Sequence, residues 1–136
     1  MIAKFSLGLA RSIFCGSILA FATSASLAAP SGAGDPGRGS KLFLQCAACH
    51  PVTAASPHAM GPNLAGAVGA KAATKPGYVY SSALIKSGLT WNVTTLDAFL
   101  KRPMQVVPGT KMVFGGVADT KARTDLIAYL ATLKKK

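Results

Sequence analysis

The feature that most constrains this chain is the run CAACH at residues 46–50, where two cysteines stand three residues apart and a histidine follows directly. If this run is helical, Cys46 and Cys49 lie on one face, about one turn apart. Such a pair can close into a redox disulfide, supply half of a zinc site, or carry a covalently attached group. Each possibility needs different surroundings, so the rest of the chain discriminates among them.

The N-terminal segment has the order of a secretory signal peptide. Lys4 and Arg11 are followed by an apolar run at residues 13–22 and by small residues leading to the expected cleavage point at Ala28/Ala29. A retained transmembrane anchor is the alternative, because the apolar run and its small-residue tail together approach spanning length. We expect cleavage and export to the periplasm. The chain then divides into a signal peptide at residues 1–28, a lead-in at 29–38 and one domain at 39–136.

Removal of this segment changes the cysteine count and the charge. Cys15 is lost, and the two remaining cysteines, both in CAACH, would form a disulfide in an oxidising compartment unless other chemistry intervened. The net charge of +11 falls to about +9 with the loss of Lys4 and Arg11. Nucleic acid is not an expected target outside the cytoplasm. Acidic protein surfaces or anionic lipid headgroups are, with salt-sensitive attraction.

The mature sequence predicts short helices joined by long irregular segments. Asp35 as N-cap and Pro36 in the first turn favour a helix that includes residues 38–48, with CAACH at its end. Further helices are predicted at residues 81–86, 94–101 and 119–133. Residues 51–77 and 103–116 are rich in Gly and Pro and have no period, and no useful strand pattern is present. Because so few helices make a thin core, we expect a non-protein group to fill the middle.

The spacing C-x-x-C-H is the attachment signature of c-type haem. Thiols at i and i+3 can add across the two vinyl groups, and His50 can then place its imidazole under the iron. Zinc is less favoured, because His58 is the only other His or Cys after His50. A thioredoxin-like pair would open a helix after a strand, whereas this one closes a helix. One covalent haem is therefore the predicted cofactor, with zinc and a disulfide as alternatives.

A low-spin haem carrier needs a second axial ligand, for which the mature chain offers three methionines and one histidine. Met60 and His58 follow CAACH too closely to reach the opposite haem face easily, and Met104 lies at a helix end. Met112 lies in the loop stretch PGTKM, which can bring a thioether across the iron, so it is the favoured ligand. Met60 and Met104 are predicted to fill the core instead.

Residues 39–130 resemble the class I cytochromes c, specifically the bacterial cytochrome c2 and mitochondrial cytochrome c branch. The matching stretches, in family order, are GSKLFLQCAACH, HAMGPNLAG, PGYVYSSA, SGLTW, PGTKMVFGG and RTDLIAYL. The resemblance covers nearly all of the mature domain. It implies an all-α cytochrome c fold, in which few short helices and long loops wrap one covalently bound haem, and it implies a crossing of the first and last helices at Gly39.

The resemblance also implies the main haem contacts, residue by residue. Cys46 and Cys49 would form the thioethers, and His50 and Met112 would be the iron ligands. The carbonyl of Pro62 would accept a hydrogen bond from the His50 ring and fix its orientation.

Four other positions are implied to contact the haem, namely Tyr80, Trp91, Thr110 and Phe114. Tyr80 and Trp91 would donate hydrogen bonds to a buried propionate, and Phe114 would lie beside the exposed haem edge. His58 is implied to be structural, tying its loop to the backbone near Pro76.

Three departures from the family pattern affect the haem surroundings. Ala70 stands where many members have an arginine near the propionates, Phe99 replaces a tyrosine that bonds the methionine sulfur, and Leu84 replaces an asparagine. Together they predict a drier pocket on the Met112 side.

On this resemblance the chain is a soluble periplasmic one-electron carrier and not an enzyme. We expect a monomer with at most peripheral membrane contact and no nucleic-acid partner. Its partners would be redox proteins with acidic docking patches, such as a cytochrome bc1-type complex, a terminal oxidase, a photosynthetic reaction centre or a dehydrogenase. The basic residues available for docking are Lys41, Lys71, Lys75, Lys101 and Lys111. The alternatives are a dedicated electron-acceptor subunit of one dehydrogenase, or a haem enzyme in which Met112 is a labile ligand.

Overall fold

The computed structural model describes residues 33–134, and the predicted signal peptide with its cleavage point lies outside the described residues. The described part contains six helices: α1 (Pro36–Leu42), α2 (Leu44–Ala47), α3 (Ser82–Ser87), α4 (Val93–Lys101), α5 (Pro103–Val106) and α6 (Thr120–Thr132). An isolated bridge between Lys71 and Thr90 is the β-type pairing found in this range. The all-α prediction is confirmed. Within the same range none of the helices has both the length and the apolar content to cross a bilayer.

The helix before CAACH starts as predicted and then breaks. The Asp35 side chain accepts the N–H groups of Gly37 and Arg38, and Pro36 occupies the first turn, inside the segment assigned to the lead-in. At Phe43 the backbone tightens, with its N–H directed at the carbonyls of both Gly39 and Lys41. Phe43 is 4% exposed and packs against the Tyr129 ring, so core packing of this side chain accompanies the break.

Helices α3, α4 and α6 each begin at a side-chain cap. Ser81, Asn92 and Asp119 each accept a backbone N–H from the first turn of α3, α4 and α6, respectively. Helix α3 ends at Gly88, whose φ of 60° is the left-handed conformation that glycine adopts without strain. The predicted positions of these helices are confirmed to within a residue or two.

Helix α5 was not predicted, because it lies in a segment that the sequence assigned to a loop. It begins at Pro103 and has four residues, which is too few for an apolar period to be detected. The N–H of Val107 bonds to the carbonyl of Pro103 at 2.9 Å, and Val107 is 2% exposed. This small helix therefore fixes the point at which the loop carrying Met112 begins.

Helices α1 and α6 cross at Gly39, as the resemblance implied. A β-carbon built on Gly39 would overlap the carbonyl of Asp125 and the β-carbon of Tyr129, so only glycine permits this approach. The buried core cluster lies between α1, α4 and α6 and consists of Phe43, Leu96, Leu100, Leu126, Ile127 and Leu130. The core thus occupies one side of the domain, and the two long loops form the rest.

A buried carboxylate reinforces this crossing. Asp125 on α6 accepts the N–H of Asp35 at 2.6 Å, Nε of Arg38 at 2.8 Å and Nζ of Lys121 at 2.6 Å. The Arg38 hydrogen bond is the main cause that holds the pKa of Asp125 far below its usual range, followed by the Asp35 N–H and Lys121. The start of α1 is thereby tied to α6 by charge as well as by packing.

The first long loop is organised around Asn63, which is 4% exposed. Its side-chain amide donates to the carbonyls of Thr53 at 2.8 Å and Ser56 at 3.0 Å. Its backbone N–H donates to Nδ1 of His58 at 2.9 Å, so Nε2 of a neutral His58 carries the hydrogen and donates to the Pro76 carbonyl at 2.8 Å. The predicted tie between His58 and Pro76 is confirmed.

Candidate haem site

The two cysteines of CAACH lie at the C-terminal end of α2 as free thiols, each half-buried. The N–H groups of Cys49 and His50 both bond to the Cys46 carbonyl, at 3.0 and 2.9 Å, so the run forms one helical turn. Burial raises the pKa of the Cys46 thiol, and the neighbouring Cys49 adds to the effect. Two adjacent reduced cysteines are what addition to a pair of vinyl groups requires.

His50 is held by a hydrogen bond and by packing. Its Nδ1 lies 2.9 Å from the carbonyl of Pro62. Since a carbonyl only accepts, Nδ1 carries the ring hydrogen, and the lone pair of Nε2 is left for a metal. Gly61 packs directly against the ring, and its N–H bonds to the Cys49 carbonyl at 2.8 Å. The predicted His50–Pro62 hydrogen bond is confirmed, and it presents the imidazole in the tautomer that an iron ligand needs.

The zinc alternative lacks a donor set in this fold. Among residues 33–134 no three His, Cys, Asp or Glu side chains converge on a point where a metal ion could bind. His58, the remaining candidate ligand, uses both ring nitrogens within its own loop. A pair of thiols and one imidazole fit a porphyrin, which brings its own four nitrogen ligands to the iron.

The three methionines of the described range differ sharply in exposure. Met60 is 76% exposed and Met104 is 62% exposed, so the prediction that they pack in the core is wrong. Met104 points outward because the inward positions around α5 belong to Pro103 and Val107, both buried. Met112 is half-buried, so its thioether is the most shielded of the three within the described residues.

Thr110 fixes the backbone beside Met112. Its N–H bonds to the Val107 carbonyl at 3.0 Å, and its hydroxyl accepts the N–H of Met112 at 3.3 Å. One residue further, Nζ of Lys111 donates to the carbonyl of Val79 at 3.4 Å and so joins this loop to the first one. The structure therefore brings Thr110 and Met112 together. Neither the Thr110–Met112 contact nor the Lys111–Val79 contact was predicted from the sequence.

Two hydrogen-bond donors stand unused near the first loop. The hydroxyl oxygen of Tyr80 accepts the N–H of Lys75 at 3.3 Å, but its own hydrogen donates to nothing in the described residues. The indole N–H of Trp91 likewise has no acceptor within residues 33–134, although its ring packs on Phe99 at 4.9 Å between centroids. Burial is the main cause that raises the pKa of Tyr80, so it remains a donor at neutral pH. Each of these half-buried donors is available to an anionic group such as a haem propionate.

The pocket positions that depart from the family pattern are apolar. Phe99 is 7% exposed, while Leu84 and Ala70 are half-buried. Phe114 is half-buried in the second loop, next to the fully exposed Val113. The sequence did not single out Gly61 or Asn63 as structural residues, although both lie in the stretch HAMGPNLAG that carried part of the resemblance.

A reduced thiol pair followed by an imidazole of fixed tautomer, in a fold of short helices and long loops, defines the class of c-type haem proteins. The family model described as Cytochrome c matches residues 37–134, so the chain belongs to the cytochrome c family. A cytochrome c2 from Rhodomicrobium vannielii is 49% identical over 100 residues, covering 74% of this chain and 80% of that protein. A cytochrome c-554 from Methylosinus trichosporium is 39% identical over 119 residues, covering 85% of this chain and 90% of that protein.

A solved structure agrees with the fold. Cytochrome cH from Methylobacterium extorquens is 49% identical to this chain and superposes with a TM-score of 0.69, covering 73% of this chain and 99% of the other. Family membership makes the cofactor one haem c, with Cys46 and Cys49 as its attachment points, and it makes the protein an electron carrier. The roles of the other haem-contacting residues stay predictions.

Proposed function

We propose that this protein is a periplasmic one-electron shuttle that runs between redox proteins and catalyses no reaction of its own, with His50 and Met112 as its axial ligands. The observation that carries the proposal is that the chain offers an oriented imidazole and a shielded thioether. Pro62 fixes the ring of His50, and Met112 is half-buried while Met60 and Met104 are exposed. Two permanent protein ligands leave no iron position for a substrate.

The haem, when bound, supplies the one-electron redox couple, and the chain supplies its surroundings. Pro62 keeps the His50 ring oriented and basic through the Nδ1 hydrogen bond. Tyr80 and Trp91 offer their unused donors to a propionate, a role that the missing arginine at Ala70 makes more important. Phe99 and Leu84 are apolar where other family members have polar side chains, so we expect fewer hydrogen bonds and a drier site on the Met112 side. A rigid and dry site changes little between oxidation states.

The distribution of charge supports docking on acidic partners. The chain has no Glu, and each of its four aspartates is engaged within the fold, as a helix cap or in an ion pair. The exposed cations include Lys41, Lys71, Lys86, Lys101, Arg102 and Lys134. A surface of this kind attracts acidic patches at long range. A cytochrome bc1-type complex, an oxidase, a reaction centre or a dehydrogenase remains a candidate partner, and a role dedicated to one dehydrogenase would differ only in the partner.

Carbon monoxide distinguishes a carrier from a haem enzyme with a labile ligand. It binds ferrous haem only where an axial position is open, so the reduced wild-type protein should not change its spectrum under carbon monoxide at neutral pH. The variant Met112→Ala, which opens that position, should bind carbon monoxide readily and serves as the positive control. Wild-type protein that binds carbon monoxide as readily as this variant would refute the carrier proposal.

A further inference from the structure

The loop that carries Met112 is held mainly at its two ends. At its start, the N–H of Val107 bonds to the Pro103 carbonyl at 2.9 Å. At its exit, the N–H of Val117 bonds to the Leu100 carbonyl, at the end of α4, at 2.8 Å. Within the described residues, positions 111–116 make no backbone-to-backbone hydrogen bond. Side-chain contacts inside the loop are the 3.4 Å contact of Lys111 Nζ with the Val79 carbonyl and the 3.3 Å contact of the Met112 N–H with Thr110 Oγ1. With so few internal contacts, the location of the Met112 thioether depends strongly on how firmly the two ends are fixed.

Arg123 on α6 holds the exit of the loop. Its side chain is 4% exposed, and its Nη1 donates to the carbonyls of Val117 at 2.9 Å and Ala118 at 2.7 Å. Its Nη2 donates to Thr120 Oγ1 at 3.2 Å. With two further contacts to Asp97, the guanidinium makes five hydrogen bonds, as many as it has N–H groups. A single buried cation thus organises the two residues that close the loop.

Asp97 on α4 is the counter-charge that keeps this cation in place. Its two carboxylate oxygens lie 2.7 Å from Nε and 3.4 Å from Nη2 of Arg123. A buried guanidinium without its partner is costly, so losing Asp97 favours movement of Arg123 toward solvent. Asp97 is 38% exposed and lines an open groove beside Thr120, which gives the guanidinium a path outward. The same movement would release the carbonyls of Val117 and Ala118.

We propose that Asp97 is a positioning residue for the axial methionine: through Arg123 it fixes the exit of the Met112 loop on α4 and keeps the thioether on the iron. The inference rests on the proposed function, since it takes Met112 as the ligand. Asp97 touches neither the haem nor Met112, so its effect passes entirely through Arg123 and the backbone of residues 117–118.

Imidazole, which competes with methionine for ferric iron, tests this role. In Asp97→Asn holo-protein, imidazole should bind with a dissociation constant roughly tenfold lower than in wild type, the factor expected for one lost charge-assisted hydrogen bond. Binding is followed as loss of the sulfur-to-iron(III) absorption band. The Val117 amide should also exchange its hydrogen faster. Arg123→Lys, which keeps the charge but cannot make five contacts, should shift both quantities in the same direction.

Lys121→Met is the matched control. It removes an ion pair of similar length on the same helix, the 2.6 Å contact to Asp125, without touching the loop. It should leave imidazole affinity unchanged, even if the unfolding temperature falls. If Asp97→Asn shows the absorption band and binds imidazole with the affinity of wild type, the proposed role of Asp97 is wrong, while the methionine ligand is unaffected. A wild-type ferric protein that lacks the band would instead refute the methionine ligand on which both proposals depend.

Discussion

At the scale of single residues, Gly61 shows how tightly the imidazole is held. A β-carbon built on it would overlap the ring of His50. Gly61→Ala should push the ring away from the Pro62 carbonyl and lower the free energy of unfolding by about 1–3 kcal/mol, the range for overpacking. Thermal unfolding of the holo-protein measures this. Gly115→Ala is the control, because nothing lies within 4 Å of its added carbon. Equal unfolding temperatures for the two variants would contradict the packing argument.

Single-residue predictions succeeded where the family resemblance specified the partner. The contacts of His50 with Pro62 and of His58 with Pro76 were both implied by the resemblance, and both are present. The core positions for Met60 and Met104 were wrong, because the direction of a side chain in a short turn depends on which neighbours take the inward positions. No periodicity rule supplies that information for four-residue elements.

At the scale of elements, the crossing of α1 and α6 depends on Gly39. Alanine favours a helix over glycine by up to about 1 kcal/mol, but the added carbon would overlap the Asp125 backbone carbonyl, which cannot rotate away. Overpacking should win, so Gly39→Ala should lose about 2 kcal/mol of unfolding free energy in chemical denaturation. Gly37→Ala on the same helix meets a side-chain oxygen at 3.1 Å and should change far less. A stabilised Gly39→Ala variant would show that the helices do not cross here.

The carboxylate of Asp125 predicts how the α1–α6 contact responds to acid. Its pKa is lowered in the folded state, mainly by Arg38, so its contribution is complete above the pKa of an unfolded aspartate, about 4, and is lost as the pH falls below that value. The difference in unfolding temperature between wild type and Asp125→Asn should be largest near neutral pH and should shrink below about pH 4. A difference that stays constant from neutral to acid pH would exclude this linkage.

The boundaries of α3, α4 and α6 were predicted to within a residue or two. Each of these helices begins at a polar side chain that caps it, namely Ser81, Asn92 and Asp119, respectively. The break at Phe43 was missed, since no Gly or Pro marks it and it accompanies packing of the ring on Tyr129. Helix α5 was missed because four residues, about one helical turn, are too few to show a repeating apolar pattern. Both features are products of tertiary contact, which a local pattern does not encode.

At the scale of the whole molecule, the excess of positive charge should control how fast partners dock. The aspartates are engaged within the fold, so the surface that a partner meets is mainly basic. Its attraction to an acidic redox partner should weaken as salt screens the charges. The rate of reduction by such a partner should fall as ionic strength rises from about 0.01 to 0.15 M. An uncharged small reductant, used as the control, should show little change. A rate of reduction by the acidic protein that does not change with ionic strength would show that charge does not drive docking.

The family resemblance implied the overall architecture, and the need for a large non-protein group was predictable because the sequence offers only a few short helices to form a core. The buried cluster between α1, α4 and α6 occupies one side of the domain, while the loops with His50 and Met112 form the remainder. A chain with so small a core needs its covalently attached group as part of the interior. The sequence could predict this need from CAACH and the loop lengths, but not the ties through Asn63, Lys111 and Arg123.

The absorption spectrum of the oxidised protein tests the central claim, that Met112 and His50 clamp the iron from opposite sides. Wild-type ferric protein at neutral pH should show the weak sulfur-to-iron(III) band at the red edge of the visible spectrum. Met112→Ala should abolish this band, and Met104→Ala should leave it unchanged. Loss of the band in Met104→Ala, or its persistence in Met112→Ala, would contradict the account.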